Sequence, residues 1–182
     1  MTLRTAAIVV TACVGLIAGT AGRAILRSEQ SPPLRAGDFA TGEPSIDNLL
    51  DKFRRALVTN DKALLRRLRV TEDEYRNLIM PGSVEPGRPR GDYSEQASQY
   101  FWGVLNGKSI YVEANLLHQF GGKDFTIDSV KYRKGIKKYR DYTAYKQLTV
   151  MVKQSGEEPV PMKIGSIAEV DGRYKFISYV RD

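Results

Sequence analysis

Few side chains in this sequence could do acid–base chemistry near neutral pH. His118 is the only histidine, and histidine is the one side chain whose unperturbed pKa lies close to neutrality. As a general base it would need a pocket and a carboxylate to orient it. The alternative is a partly buried histidine near the end of an apolar helix. Asp124 and Asp128 could supply a carboxylate, although capping and surface roles also explain them.

A second chemical feature is a basic segment interleaved with aromatic residues. Between residues 131 and 140 it carries six basic side chains and two tyrosines: Lys131, Arg133, Lys134, Lys137, Lys138, Arg140, Tyr132 and Tyr139. Basic and aromatic residues together are typical of surfaces that bind anions. The alternative is a solvated hairpin whose lysines protect an edge strand from aggregation.

Aromatic side chains cluster in the predicted long helix and are candidates to line a ligand pocket. These residues are Tyr100, Phe101, Trp102 and Tyr111. The alternative is that they belong to the core, which is the commoner place for helical aromatics.

Composition excludes several classes of site. The only cysteine is Cys13, so residues after the leader have no thiol for a disulfide or for a metal. One histidine is too few for a histidine-rich zinc centre. No glycine-rich phosphate loop is present, and no cofactor is expected. A net charge of +7 favours anionic partners, or a basic surface without a special partner.

The first 24 residues have the pattern of a targeting segment. Arg4 precedes an uncharged run from Thr5 to Gly22, and small residues that suit a signal-peptidase site lie at its end: Thr20, Ala21, Gly22 and Ala24. This order predicts a signal peptide, and its length also allows an uncleaved membrane anchor. A lipid-modified Cys13 is a third alternative. Residues 25–44 predict a flexible linker, because prolines and glycines recur without periodicity. The protein is therefore expected to be exported across a bacterial inner membrane, or tethered to it.

Hydrophobic periodicity predicts helices first and strands second. A helix over 45–60 begins at Ser45, a second begins at Asp61, and a Thr71–Glu74 capping box opens a third. A longer helix begins at Asp92 and reaches His118, with a break near Gly107. Strands are predicted over 125–132, 142–154, 160–170 and 174–180. Helices followed by an antiparallel meander indicate an α+β domain over 45–182.

Two stretches carry a resemblance to a known superfamily. They are the helix pattern from Ile46 to Leu57, continued by Asn60-Asp61 and Leu64-Leu65, and the closing hairpin from Ile164 to Phe176. The chain resembles the nuclear-transport-factor-2-like, or SnoaL-like, superfamily. The resemblance implies helices packed on a curved antiparallel sheet, which form a cone with a pocket for a small apolar ligand. It also implies dimers through the sheet.

The superfamily contains isomerases, dehydratases and non-enzymatic binding domains, so the fold alone does not choose among them. No catalytic set matches here residue by residue. The sequence therefore favours an exported binding domain that contacts anionic lipid or an envelope polymer through its basic strand region. Nucleic acid is a poor partner in that compartment. The alternative is an isomerase or dehydratase that uses His118.

Overall fold

The computed structural model describes Phe39 and residues 41–180. The predicted leader and most of the predicted linker lie outside these residues. In the described part, helices come first and antiparallel strands second, so the predicted α+β class is confirmed. The helical half comprises α1 (Ile46–Val58), α2 (Lys62–Arg67), α3 (Glu72–Glu74), a π-helical turn (Tyr75–Ile79), α4 (Met80–Gly82) and α5 (Glu95–Phe120).

Helix starts follow the local rules that the sequence predicts. Ser45 caps α1 by accepting a hydrogen bond from the Asn48 amide, and Asp61 caps α2 at the Leu64 amide. Thr71 and Glu74 form the predicted reciprocal capping box. These bonds satisfy amide groups that have no partner within a helix.

The π-helical turn has a local cause in Pro81. Proline has no amide hydrogen, so Pro81 cannot donate the usual helical hydrogen bond to the carbonyl of Asn77, four residues earlier. Met80 instead donates its amide to the Tyr75 carbonyl in the wider turn. Arg90 Nη2 donates to the freed Asn77 carbonyl at 2.6 Å. The chain thus passes Pro81 without an unsatisfied carbonyl.

Helix α5 differs from its prediction in two ways. Its N-cap is Ser94 rather than Asp92, since the Ser94 hydroxyl accepts from the Ala97 amide at 3.2 Å. It also continues without the predicted break near Gly107. A glycine costs a helix about 1 kcal/mol relative to alanine, which is too little to interrupt one that packs on α1 and the π-helical turn.

The strands form two antiparallel sheets. One sheet has the order β1-β4-β5, and the other has the order β2-β3-β6-β7. Their members are β1 (Thr126–Tyr132), β2 (Ile136–Lys138), β3 (Thr143–Tyr145), β4 (Leu148–Lys153), β5 (Val160–Lys163), β6 (Ile167–Val170) and β7 (Arg173–Phe176). Every strand pair is antiparallel.

Backbone pairing continues from one sheet to the other. Between β1 and β2, Arg133 and Lys134 donate their amides to the carbonyls of Gln147 and Lys146. Gln147 has a φ of 55° and Gly135 a φ of 70°. Gln147 interrupts the strand that the sequence predicts over 142–154 and divides it into β3 and β4. The strand predicted over 160–170 is likewise divided, into β5 and β6, and strand β2 has no counterpart among the predicted strands.

The outer edge of β7 is covered by chain segments that are not strands. Glu43 and Tyr174 exchange two backbone hydrogen bonds, and Phe176 exchanges two with Leu68 and Val70. Glu43 is buried, as is Phe39. The predicted linker over 25–44 therefore overlaps residues that pack on the sheet. Its polar, proline-containing sequence is compatible with pairing at an edge.

Two hydrophobic clusters lie among the described residues. The larger one is built where α1 meets the sheets, with Phe53 packed on Phe176 at a ring separation of 5.2 Å and on Tyr179 at 5.6 Å. The smaller one includes Phe39, Ile79 and Tyr142. The space between α1 and the sheets is filled by side chains of the larger cluster.

A buried ion pair connects the helical half to the last strand. Lys175 Nζ donates to Glu74 Oε1 at 2.6 Å, while Glu74 Oε2 accepts from the Thr71 amide at 2.7 Å. Lys175 is 2% exposed and Glu74 is 5% exposed. Both oxygens of Glu74 are therefore used, one for the capping box and one for the strand.

Lys175→Met should lower the free energy of unfolding by about 3–5 kcal/mol, because it leaves the Glu74 carboxylate buried without its cation. The double variant Glu74→Leu/Lys175→Met should recover all but about 1 kcal/mol, the contribution of the lost capping bond. Urea denaturation of the parent chain, Glu74→Leu, Lys175→Met and the double variant measures this coupling. Simply additive losses would contradict it.

Alkaline pH should destabilise the fold through its buried tyrosines. Burial raises the pKa of Tyr179 and Tyr142 above the usual value of about 10. The folded chain therefore keeps the neutral phenols, and their contribution is complete below about pH 10. This contribution is lost as pH rises further, because the unfolded chain releases these protons at a lower pH than the folded chain. The free energy of unfolding should then fall by about 1.4 kcal/mol per pH unit for each tyrosine.

Tyr179→Phe tests this dependence with a conservative change. It removes the hydrogen bond from Tyr179 Oη to the Leu65 carbonyl, 2.7 Å long, and should cost about 1 kcal/mol at neutral pH. Above about pH 10 its stability should fall less steeply than that of the parent chain. Equal slopes in urea denaturation at both ends of the range would show that Tyr179 does not contribute.

Candidate functional site

The predicted basic segment forms a bent hairpin. We call residues 131–140 the basic hairpin; it comprises the end of β1, the turn at Gly135 and strand β2. The loop after α4 holds its far end in place. Val84 accepts from the Arg140 amide at 2.9 Å, and Arg90 Nε lies 2.7 Å from Asp141 Oδ2. The hairpin is thus anchored on the helical half.

Part of the basic hairpin is occupied by contacts within the protein. Lys137 pairs with Glu85 at 2.9 Å, and this hydrogen bond raises the pKa of Lys137. Arg140 lies 3.5 Å from Asp141 and donates to the Arg88 carbonyl. Tyr139 stacks on Tyr142 at 5.0 Å, and Tyr132 packs on Tyr145 at 5.3 Å. These four candidates therefore stabilise the hairpin itself.

The other basic candidates are exposed and make no ion pair with the described residues. They are Lys131, Arg133, Lys134 and Lys138. Among them lies Ile136, which is 59% exposed. Ile136 and Lys138 share one side of β2, because side chains alternate along a strand, while Lys137 faces Glu85 on the other side. The tip therefore presents an exposed apolar side chain with Lys138 on the same side of β2 and three further unpaired cations close to it in sequence.

His118 lies on the surface of the structure. It is exposed near the C-terminal end of α5, so its interpretation as a partly buried histidine is wrong. It forms no hydrogen bond or ion pair with the described residues and lines none of the pockets discussed below. Asp124 pairs with Arg54 at 3.3 Å. His118 and Asp124 therefore form no ion pair with each other.

The aromatic candidates of α5 do not form one pocket. Tyr100 and Tyr111 are 67% and 69% exposed, and Phe101 is also exposed. The alternative that these three residues belong to the core is wrong, because α5 packs only one side on the domain. Trp102 is partly buried and packs against the smaller cluster. Tyr111 lines a pocket of about 450 Å³ beside Val180, whereas Trp102 lines a different pocket of about 290 Å³.

A basic pocket that sequence reasoning missed lies beside α1 and α2. We call it the arginine pocket. It has a volume of about 580 Å³, and its lining includes Lys52, Arg55, Arg66, Arg67, Arg69 and Lys175. The run Arg66-Arg67-Leu68-Arg69 was its one local signal, since the other cations are distant in sequence. The arginine pocket adjoins the Trp102 pocket, because Arg66, Arg69 and Thr71 line both.

Arg69 is the buried arginine of the arginine pocket, whereas Arg55, Arg66 and Arg67 are exposed. Its side chain is only 4% exposed, and its guanidinium lies 6.0 Å from the Trp102 ring and 5.7 Å from the Tyr179 ring. Nη2 donates to Asn106 Oδ1 at 3.2 Å, whereas Nε has no hydrogen-bond partner among the described residues. Burial lowers the pKa of Arg69, although arginine keeps its charge at neutral pH.

The described residues offer no metal centre and no membrane span. No group of at least three His, Cys, Asp or Glu side chains is placed to hold a metal ion. None of the helices between residues 41 and 180 combines the length and apolar character needed to cross a bilayer.

The exposed face of α5 should tolerate polar substitution. Tyr111→Ser should change the free energy of unfolding by less than about 0.5 kcal/mol, because the ring is mostly in water. Leu116→Ala, on the buried side of the same helix, should cost about 2–5 kcal/mol. Urea denaturation distinguishes the two. A large loss for Tyr111→Ser would mean that the ring is covered in solution.

Comparison with known proteins gives no further identification. No family model matches the chain, and neither the curated proteins nor the solved structures contain a match. The assignment of a function therefore depends on the geometry of the basic hairpin and the arginine pocket.

Proposed function

We propose that this protein is an exported, non-enzymatic binding domain that contacts anionic envelope components through the basic hairpin. The observation that carries the proposal is the exposed Ile136 among uncommitted cations. Cations attract an anionic lipid surface, and an apolar side chain among them can enter the interface. Anionic lipid head groups are the partner that we propose.

The contacts at the base of the hairpin favour this role. Tyr139 on Tyr142 and Arg140 on Val84 hold the backbone in place before any partner arrives. A surface that is already ordered loses less conformational entropy on binding. The four unpaired cations lie on this ordered backbone and remain available to attract anionic head groups, because they form no ion pair with the described residues.

Export is part of the proposal and rests on the N-terminal sequence pattern. An uncharged run after Arg4 directs the chain to a membrane, where anionic lipid is abundant and nucleic acid is not. We also propose that the fold is of the nuclear-transport-factor-2-like type. The helices that precede a bent antiparallel meander support that assignment. Dimerisation through the sheet stays a prediction.

The isomerase alternative has less support in the geometry. Its proposed base, His118, is exposed and lines none of the pockets described above. The space between α1 and the sheets, where a cone pocket would hold a small apolar ligand, is filled by Phe53, Phe176 and Tyr179.

Vesicle binding tests the proposed function. The full chain is titrated with vesicles of phosphatidylcholine alone and of phosphatidylcholine with phosphatidylglycerol. Lys134→Glu/Lys138→Glu should weaken binding to the anionic vesicles by at least about tenfold, since each basic residue near the surface contributes about 1 kcal/mol. Added salt should weaken binding of the parent chain.

The matched control is Lys123→Glu/Lys163→Glu, which makes the same change of net charge at exposed lysines outside the hairpin. Residues 1–38 are unchanged in every variant, so the ratio of anionic to neutral binding isolates the effect of the substitutions. Equal weakening by the hairpin and control variants would reject the basic hairpin as the contact surface.

A further inference from the structure

The arginine pocket holds more positive charge than its carboxylates neutralise. Lys52 pairs with Glu43 at 2.7 Å, and Lys175 pairs with Glu74 at 2.6 Å. Arg66 reaches Glu113 at 3.6 Å. No carboxylate of the described residues lies within 4.0 Å of the nitrogens of the three remaining cations, Arg55, Arg67 and Arg69. The pocket therefore has an excess of about three positive charges.

Arg69 shows that this charge is built into the fold. Burying a guanidinium is costly unless its donors are used. Nη2 is held by Asn106, but Nε has no partner and Nη1 makes no hydrogen bond with the described residues. The guanidinium lies beside the rings of Trp102 and Tyr179. Its planar fork matches the oxygens of a phosphate or carboxylate.

The adjoining Trp102 pocket indicates what else such a ligand would carry. Trp102 and Ile110 line it together with Arg66 and Arg69. One wall is therefore aromatic and apolar, while the wall shared with the arginine pocket is cationic. Ligand sites commonly combine an apolar lining with a few fixed polar groups.

From these observations we propose that Arg69, with Arg55 and Arg67, binds the dianionic head of a phosphate monoester whose uncharged part packs against Trp102. A phosphate monoester carries close to two negative charges at pH 7, and its oxygens can accept several arginine donors at once. This site is separate from the basic hairpin, because no residue of 131–140 lines either pocket.

Trp102 provides the signal for the test, because it is the only tryptophan in the sequence. Its fluorescence is followed while the full chain is titrated with phenyl phosphate, inorganic phosphate or phenol. Phenyl phosphate should bind most tightly, inorganic phosphate less tightly and phenol least. The same affinity for phenol as for phenyl phosphate would overturn the proposal.

Substitutions locate the binding. Arg69→Gln should lower the affinity for phenyl phosphate by at least about tenfold, because the ligand loses a charge-assisted hydrogen bond. Because Arg69 is buried, the exposed Arg67→Gln provides a second variant that leaves the core intact, and it should weaken binding about threefold or more. Arg88→Gln, an exposed arginine outside both pockets, is the control. Unchanged affinity in Arg67→Gln and a folded Arg69→Gln would reject the site.

The phosphate monoester could be a soluble molecule or the head group of phosphatidate. Phosphatidate vesicles added to the hairpin variant Lys134→Glu/Lys138→Glu distinguish these sources. If Arg67→Gln in that background weakens vesicle binding, the site takes a lipid head group. If only phenyl phosphate depends on Arg67, the ligand is soluble. If neither phenyl phosphate nor phosphatidate binds in a way that depends on Arg67, the proposal is wrong, even if the basic hairpin still binds anionic vesicles.

Discussion

The buried pair of Glu74 and Lys175 is the interaction on which the arrangement of the two halves depends. Both charges are removed from water, so each needs the other at the distance found, 2.6 Å. Glu74 also closes the capping box at Thr71, which fixes the start of α3. Arg69 lies just before that box, and Lys175 lines the same pocket. One ion pair therefore couples a helix start, a strand and the cationic pocket between them.

The sequence was most informative where a structure depends on near neighbours. Ser45, Asp61 and Thr71 cap their helices as predicted, because capping involves residues only three positions apart. The bend at Gln147 was not predictable, since glutamine has no preference for a φ of 55°. Nearby, a Cβ on Gly165 would lie 2.1 Å from the Ser178 carbonyl oxygen, a constraint that only the folded chain imposes.

The candidate sites, too, were predictable from sequence only where their residues are near neighbours in the chain. Composition identified the basic hairpin, but which of its cations are free depends on Glu85 and Asp141, whose partnerships arise in the fold. The arginine pocket collects cations from α1, α2 and β7, so no window of sequence contains it. The aromatic residues of α5 were misjudged because periodicity could not say how much of that helix the domain covers.

The covered edge of β7 has a consequence for solubility. An open strand edge offers its amides and carbonyls to other chains, and sheets commonly aggregate from such edges. Glu43 on one stretch of β7, and Leu68 with Val70 on the next, already occupy those groups. On the opposite side of the same sheet, β2 carries Lys137 and Lys138, while Pro161 in β5 removes one donor from an edge of the other sheet. Detachment of residues 41–43 would therefore expose the amide and carbonyl of Tyr174, and the exposed Arg173 would be the nearest charge on β7 to oppose assembly into fibres.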